Sequence, residues 1–120
     1  MFNFEKLEIW QEAINFADMV YTLTRNFPED ERFGLTNQMR RAAVSISSNL
    51  AEGGSRSSRI DNARFVELAT GSLFEVISQA TISKQQGFLS EMNYNRLYAA
   101  CEKQSKMLSG LRKSLLKASF

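Results

Sequence analysis

Arg40, Arg41, Arg56, Arg59 and Arg64 fall in one short stretch of the chain, with no lysine among them. A guanidinium is a planar fork that donates two parallel hydrogen bonds, the geometry a phosphate accepts. The chemistry these residues could do is therefore the holding of a polyanion, and Ser55, Ser57 and Ser58 are gathered with them beside Gly53 and Gly54. Bond-making chemistry lacks its usual parts. Histidine is absent, which removes Ser-His-Asp and Cys-His nucleophiles and the Glu-x-x-His pairs with which helical bundles hold two irons. Cys101 is the only cysteine. With no imidazole to activate it, it reads as a small buried hydrophobe. Glu29, Asp30 and Glu31 are neighbours that point different ways from a helical turn, which suits a solvated helix start better than a metal site. Glu52, Glu67 and Glu75 are single acids on helices that also carry arginines, and read as ion-pair partners or caps. Gly53-Gly54 has no Gly-x-x-x-x-Gly-Lys around it and no strand before it, so it is not a phosphate loop. No catalytic, cofactor-binding or metal-binding residue is assigned.

The elements that must position the arginines are helices. Leu35, Met39, Ala42, Ile46 and Leu50 recur at steps of four and three, which predicts a helix over about 35–52 with Gly53-Gly54 as its stop. Ala42, Ala43, Ser45, Ser47, Ser48 and Ala51 are small enough to let a neighbouring backbone come close. An earlier helix over about 8–25 has one narrow polar stripe of Glu8, Gln11, Asn15, Asp18 and Thr22, and is apolar elsewhere. That is more apolar surface than one side of a small bundle buries, so a second subunit is expected to cover it, with the outward Val44 pointing the same way; the alternative is that the lead-in, Phe2 and Phe4, folds back over the excess. Phe27-Pro28 ends this helix, because the residue before proline is pushed out of helical geometry.

A third helix is predicted over about 59–86, with Phe65, Ala69, Ser72, Val76 and Ala80 as its seam. Gly71 lies inside it at a cost of about 1 kcal/mol relative to alanine, which predicts a close helix crossing there. Gly87 serves as a cap, and Ser90 with Glu91 opens a last helix whose heptad is Leu97, Cys101, Gln104, Leu108, Leu111 and Leu115. Four amphipathic helices with short connections predict an all-α chain, an antiparallel up-down four-helix bundle forming a single domain over 1–120.

The run Gln38-Met39-Arg40-Arg41-Ala42-Ala43-Val44-Ser45-Ile46, followed by Ser48-Asn49-Leu50-Ala51-Glu52-Gly53, resembles the bacterial four-helix-bundle proteins named after 23S ribosomal RNA intervening sequences. Leu7-Glu8-Ile9-Trp10-Gln11-Glu12-Ala13, Phe27-Pro28, Ala69-Thr70-Gly71-Ser72-Leu73 and Glu75 extend the likeness over nearly the whole chain. Where that pattern has proline, this chain has Ser47. With its backbone N–H restored, the second helix is expected to run through that position without a kink. The resemblance implies a helical bundle assembling as a homo-oligomeric ring, typically a pentamer. It also links relatives to RNA and to retroelement reverse transcription, and names no reaction.

Net charge is only +2, with an isoelectric point near 8.8, but the charge is unevenly spread. Residues 1–37 carry three basic and seven acidic side chains, a net of −4, whereas residues 38–64 carry five and two, a net of +3. No run approaches the ~18 apolar residues of a membrane span, the N-terminal residues lack a signal-peptide pattern, and a lone cysteine fits a reducing compartment. A cytoplasmic protein is expected, with no membrane and no small-molecule substrate. Two functions follow from these residues. The first is a non-catalytic scaffold binding RNA or DNA through Arg40, Arg41, Arg56, Arg59 and Arg64. The second is a protein–protein assembly or adaptor module, whose arginines serve subunit contacts and whose partner is another protein, a reverse transcriptase being one the resemblance implies.

Overall fold

The computed structural model describes residues 1–117, which fold into four helices: α1 (Glu8–Thr24), α2 (Leu35–Gly54), α3 (Arg59–Gln85) and α4 (Glu91–Leu116). Short 3-10 turns at Asn3–Lys6 and Glu29–Glu31 precede α1 and α2. Each helix packs on its two neighbours in the cycle α1, α2, α3, α4. The result is the antiparallel four-helix bundle expected from the periodicity, 53 Å long and 23 × 20 Å across. One face of each helix supplies the core. Phe16 and Val20 come from α1, Met39 and Ile46 from α2, Leu73 and Val76 from α3, and Leu97 and Leu108 from α4.

The helix ends rest on local hydrogen bonds. Ser58 and Ser90 cap α3 and α4, their hydroxyls accepting from the amides of Asp61 at 3.0 Å and Asn93 at 3.1 Å. Helix α2 starts differently, with the Glu31 carboxylate accepting the Leu35 amide at 3.1 Å. Helix α3 ends at Gly87, whose φ of +80° only glycine adopts without strain. There the Gly87 amide donates to Lys84 O at 3.0 Å and the Phe88 amide to Ser83 O at 2.9 Å, the paired bonds that close a helix on a left-handed glycine.

Helix α2 is uninterrupted through Ser47, whose hydroxyl donates to Val44 O at 3.0 Å. It ends at Gly54, within the glycine pair expected to stop it. Gly53 is also buried against α3: a Cβ at that position would lie 2.6 Å from Asn62 Oδ1 and 2.9 Å from Phe65 Cβ. The first glycine of the pair is thus a close-approach residue as well as part of the helix end. Gly71 reverses the other way. It was expected at a helix crossing, yet it is exposed and a Cβ there would meet nothing within 4 Å.

The lead-in covers part of the apolar excess of α1, as the alternative had it: Phe4 folds back onto Trp10, edge to face with centroids 5.2 Å apart, and stacks on Phe2 at 5.8 Å. On α1 only Ile14 and Tyr21 remain exposed apolar residues, at 37% and 39%. Helix α3 exposes more: Ile60 at 69%, Leu68 at 52%, Phe74 at 55% and Ile82 at 46%.

The two glycines separate in a thermal or urea unfolding experiment. Gly53→Ala is expected to destabilise the bundle by about 1–3 kcal/mol through overpacking at α3. Gly71→Ala is expected to stabilise it by about 0.5–1 kcal/mol, because an exposed helix interior gains propensity and meets no clash.

Candidate nucleic-acid interface

The bundle sorts the five arginines by what their guanidiniums already hold. The last four carbonyls of an α-helix have no partner within the helix and carry its negative dipole end, so a nearby cation is favourable there. Arg40 serves the end of α1. Its Nε donates to Thr24 Oγ1 at 2.9 Å, its Nη2 reaches Tyr21 O at 3.5 Å, and its guanidinium lies 4.6 Å from the centroid of the Tyr21 ring. Arg59 serves the end of α4. Its Nε donates to Leu115 O at 3.2 Å and its Nη2 to Ser114 O. These two residues tie α2 to α1 and α3 to α4.

Arg56 is held more lightly. It sits 3.8 Å from the Glu52 carboxylate, one helical turn back, and 4.5 Å over the Phe65 ring. That ion pair is largely in water, where such pairs contribute little. Arg41 and Arg64 are exposed, with no hydrogen bond, ion pair or aromatic face engaged among the described residues. Arg41 stands between two open polar grooves. One, of about 330 Å³, runs along the α2–α3 junction past Gln38, Ser45, Ser72, Gln79 and the carboxylate-bearing Glu75; the other passes Tyr21, Asn37 and Ser48. Of the acids expected to neutralise these arginines, Glu52 takes Arg56, while Glu67 takes Arg112 of α4 at 2.7 Å.

The arginines do not form one cluster. Arg56, Arg59 and Arg64 stand at the end of the bundle where α2 finishes and α3 begins, whereas Arg40 and Arg41 lie in the opposite half of α2. Counting charges along the sequence weighed arginines only against carboxylates. The partners that claim Arg40 are the Thr24 hydroxyl, the Tyr21 ring and the Tyr21 carbonyl of α1, and those that claim Arg59 are carbonyls of α4; the useful signal was the short connections, which bring one helix's last turn beside the next helix.

Burial in the α3–α4 seam pushes the Cys101 thiol up from 9.0 to about 12, so it stays protonated through the neutral range. Any stability linked to this thiol is full below its ordinary value and is lost as pH rises through about 12. No helix among the described residues is long and apolar enough to cross a membrane.

The fold and the site define an all-helical bundle that presents guanidiniums and hydroxyls. Residues 5–110 match the family described as 23S rRNA-intervening sequence protein, and the chain belongs to that family. No curated protein matches it. Among solved structures it is similar to a protein of unknown function from the S23 ribosomal protein family of Bacteroides thetaiotaomicron. The TM-score is 0.78 at 19% identity, covering 88% of this chain and 98% of that one, a likeness of fold.

Replacing Arg40 by alanine is expected to lower the unfolding free energy by about 1–3 kcal/mol, since it removes charge-assisted bonds at a helix end. Arg41→Ala is expected to change it by less than about 0.5 kcal/mol, as an exposed side chain with no partner. Urea denaturation of the two variants makes the comparison.

Proposed function

We propose that this protein is a non-catalytic, cytoplasmic, oligomeric scaffold that binds RNA through an arginine surface. The observation that carries the reading is that Arg41 and Arg64 have no protein partner among the described residues, and Arg56 has only a solvated one. The description of its family, 23S rRNA-intervening sequence protein, supports RNA as the polyanion. Arg40 and Arg59 support the interface from behind by holding helix ends, and are not assigned to the phosphodiesters of the RNA backbone.

Self-association is the second part of the reading. Leu7, Ile14 and Tyr21 are exposed seven residues apart on the α1 side, beside Val44 of α2. Ile60, Leu68, Phe74 and Ile82 are exposed on α3, which sits diagonally across the bundle from α1. Two different apolar surfaces on opposite sides suit head-to-tail contacts, which close into a ring when the rotation allows. Five subunits is the number the family resemblance implies. In a ring, each weak phosphate contact is repeated once per subunit, and avidity grows without new contacts.

Light scattering at micromolar concentration is expected to give a mass several times the 13.6 kDa chain, reduced by Phe74→Glu. A monomer mass for the unaltered protein contradicts self-association. Binding to a single-stranded RNA is expected to weaken steeply with salt, by about 0.7 in log–log slope per phosphate contacted. The triple variant Arg41→Ala, Arg56→Ala, Arg64→Ala should flatten that slope while keeping the oligomer. If the unaltered protein binds no RNA at low salt, the function passes to protein–protein assembly. The observation favouring that reading is the open apolar groove of about 310 Å³ between α3 and α4, beside Phe74 and Tyr98.

A further inference from the structure

We propose that the cleft where α1 ends and α2 begins is a binding site for a phosphate monoester dianion. The cleft has a volume of about 220 Å³ and is walled by Thr24, Arg25, Arg32, Thr36 and Arg40, with Glu29 as its one carboxylate. At ~30 Å³ per water it has room for about seven, enough for a tetrahedral oxyanion and the first atoms attached to it. Most of its lining comes from residues 1–37, whose net charge is −4, yet its walls bring three guanidiniums together from three separate segments.

The donors are arranged for an anion. Arg40 is locked by its bond to Thr24 Oγ1 and its stacking on Tyr21, and its Nη1 has no protein partner among the described residues. A guanidinium held in this way loses little freedom when it binds. The Arg25 guanidinium, just past α1, makes no hydrogen bond or ion pair among the described residues. Arg32 meets Glu29 at 3.8 Å with both side chains mostly in water, a contact that an incoming anion displaces at little cost. Glu31 is turned aside to the Leu35 amide and does not line the cleft.

A second observation is independent of charge. Thr36 is only 8% exposed, lines the cleft, and its hydroxyl engages no donor or acceptor among the described residues. That hydroxyl is not sealed from solvent, and Thr36 stands in the cleft wall with the arginines, so its hydroxyl is available to a ligand there. Three guanidiniums against one carboxylate leave two positive charges for a dianion to neutralise. A monoester presents three free oxygens to these three arginines, where a diester presents two.

The site stands at the opposite end of the bundle from Arg56 and Arg64, and does not depend on the RNA reading. Calorimetric titration of the full chain with inorganic phosphate at low ionic strength tests it. Saturable binding is expected, weakened about tenfold by Arg25→Gln, severalfold by Thr36→Val, and not by Arg64→Gln. Arg32→Gln is a second variant should Arg25→Gln unfold, and circular dichroism verifies helix content in each.

Two RNA decamers of one sequence, with a 5′-phosphate and with a 5′-hydroxyl, identify the source. Arg25-dependent preference for the phosphorylated strand supports a strand end as the ligand. Equal binding of the decamers with Arg25-dependent phosphate binding supports a free phosphate compound at the same site. Absence of saturable phosphate binding at millimolar concentration, or binding indifferent to Arg25→Gln and Arg32→Gln, overturns the proposal.

Discussion

The close approach of α2 to α3 is the contact on which the rest of the bundle depends. Gly53 admits Phe65 and Asn62 to within a distance no Cβ could share, and Ser45 and Ser72 meet through their hydroxyls at 2.9 Å. Ala42, Ala43 and Ala69 are fully buried along the same pair of helices. Small side chains bury little apolar area each, so this pair is held by proximity and fit more than by hydrophobic bulk. The larger residues, Phe16, Met39, Leu73 and Leu108, fill the centre that the pair leaves between itself and the other two helices.

That geometry decides the fate of the arginines. Arg40 faces away from α3 toward the last turn of α1, while Arg41, one residue on, lines the groove beside α3. Arg59, at the start of α3, falls beside the last turn of α4 because the helices are antiparallel. Two arginines thus become parts of the frame, for the same electrostatic reason at two places. The remaining three keep donors for a ligand, and the frame holds the backbone on which they stand.

Much of this was legible in the sequence. The four helices, the buried heptad of α4 with Gln104 inside it, the glycine end of α3 at Gly87 and the Ser90 cap all follow from short-range patterns. The packing of the glycines at 53 and 71 was not, because a helix-interior glycine has the same local signature whether it faces another helix or solvent. The commitment of Arg40 to Tyr21 and Thr24, and of Arg59 to residues 55 and 56 positions away, was equally hidden. It depends on which helix ends lie side by side. The same holds for Arg25, Arg32 and Thr36, which Pro28 and the acidic turn separate in sequence and the chain reversal brings to one cleft.

The central claim is the division of the arginines into two that hold helix ends and three that remain open. Modification by an arginine-selective dicarbonyl reagent, read residue by residue by mass spectrometry with and without bound RNA, tests it most directly. Arg41, Arg56 and Arg64 should react fastest in the free protein and become protected by RNA, while Arg40 and Arg59 react slowly in both. Fast modification of Arg40 and Arg59 in the free protein, or an identical pattern with RNA bound, would contradict the account.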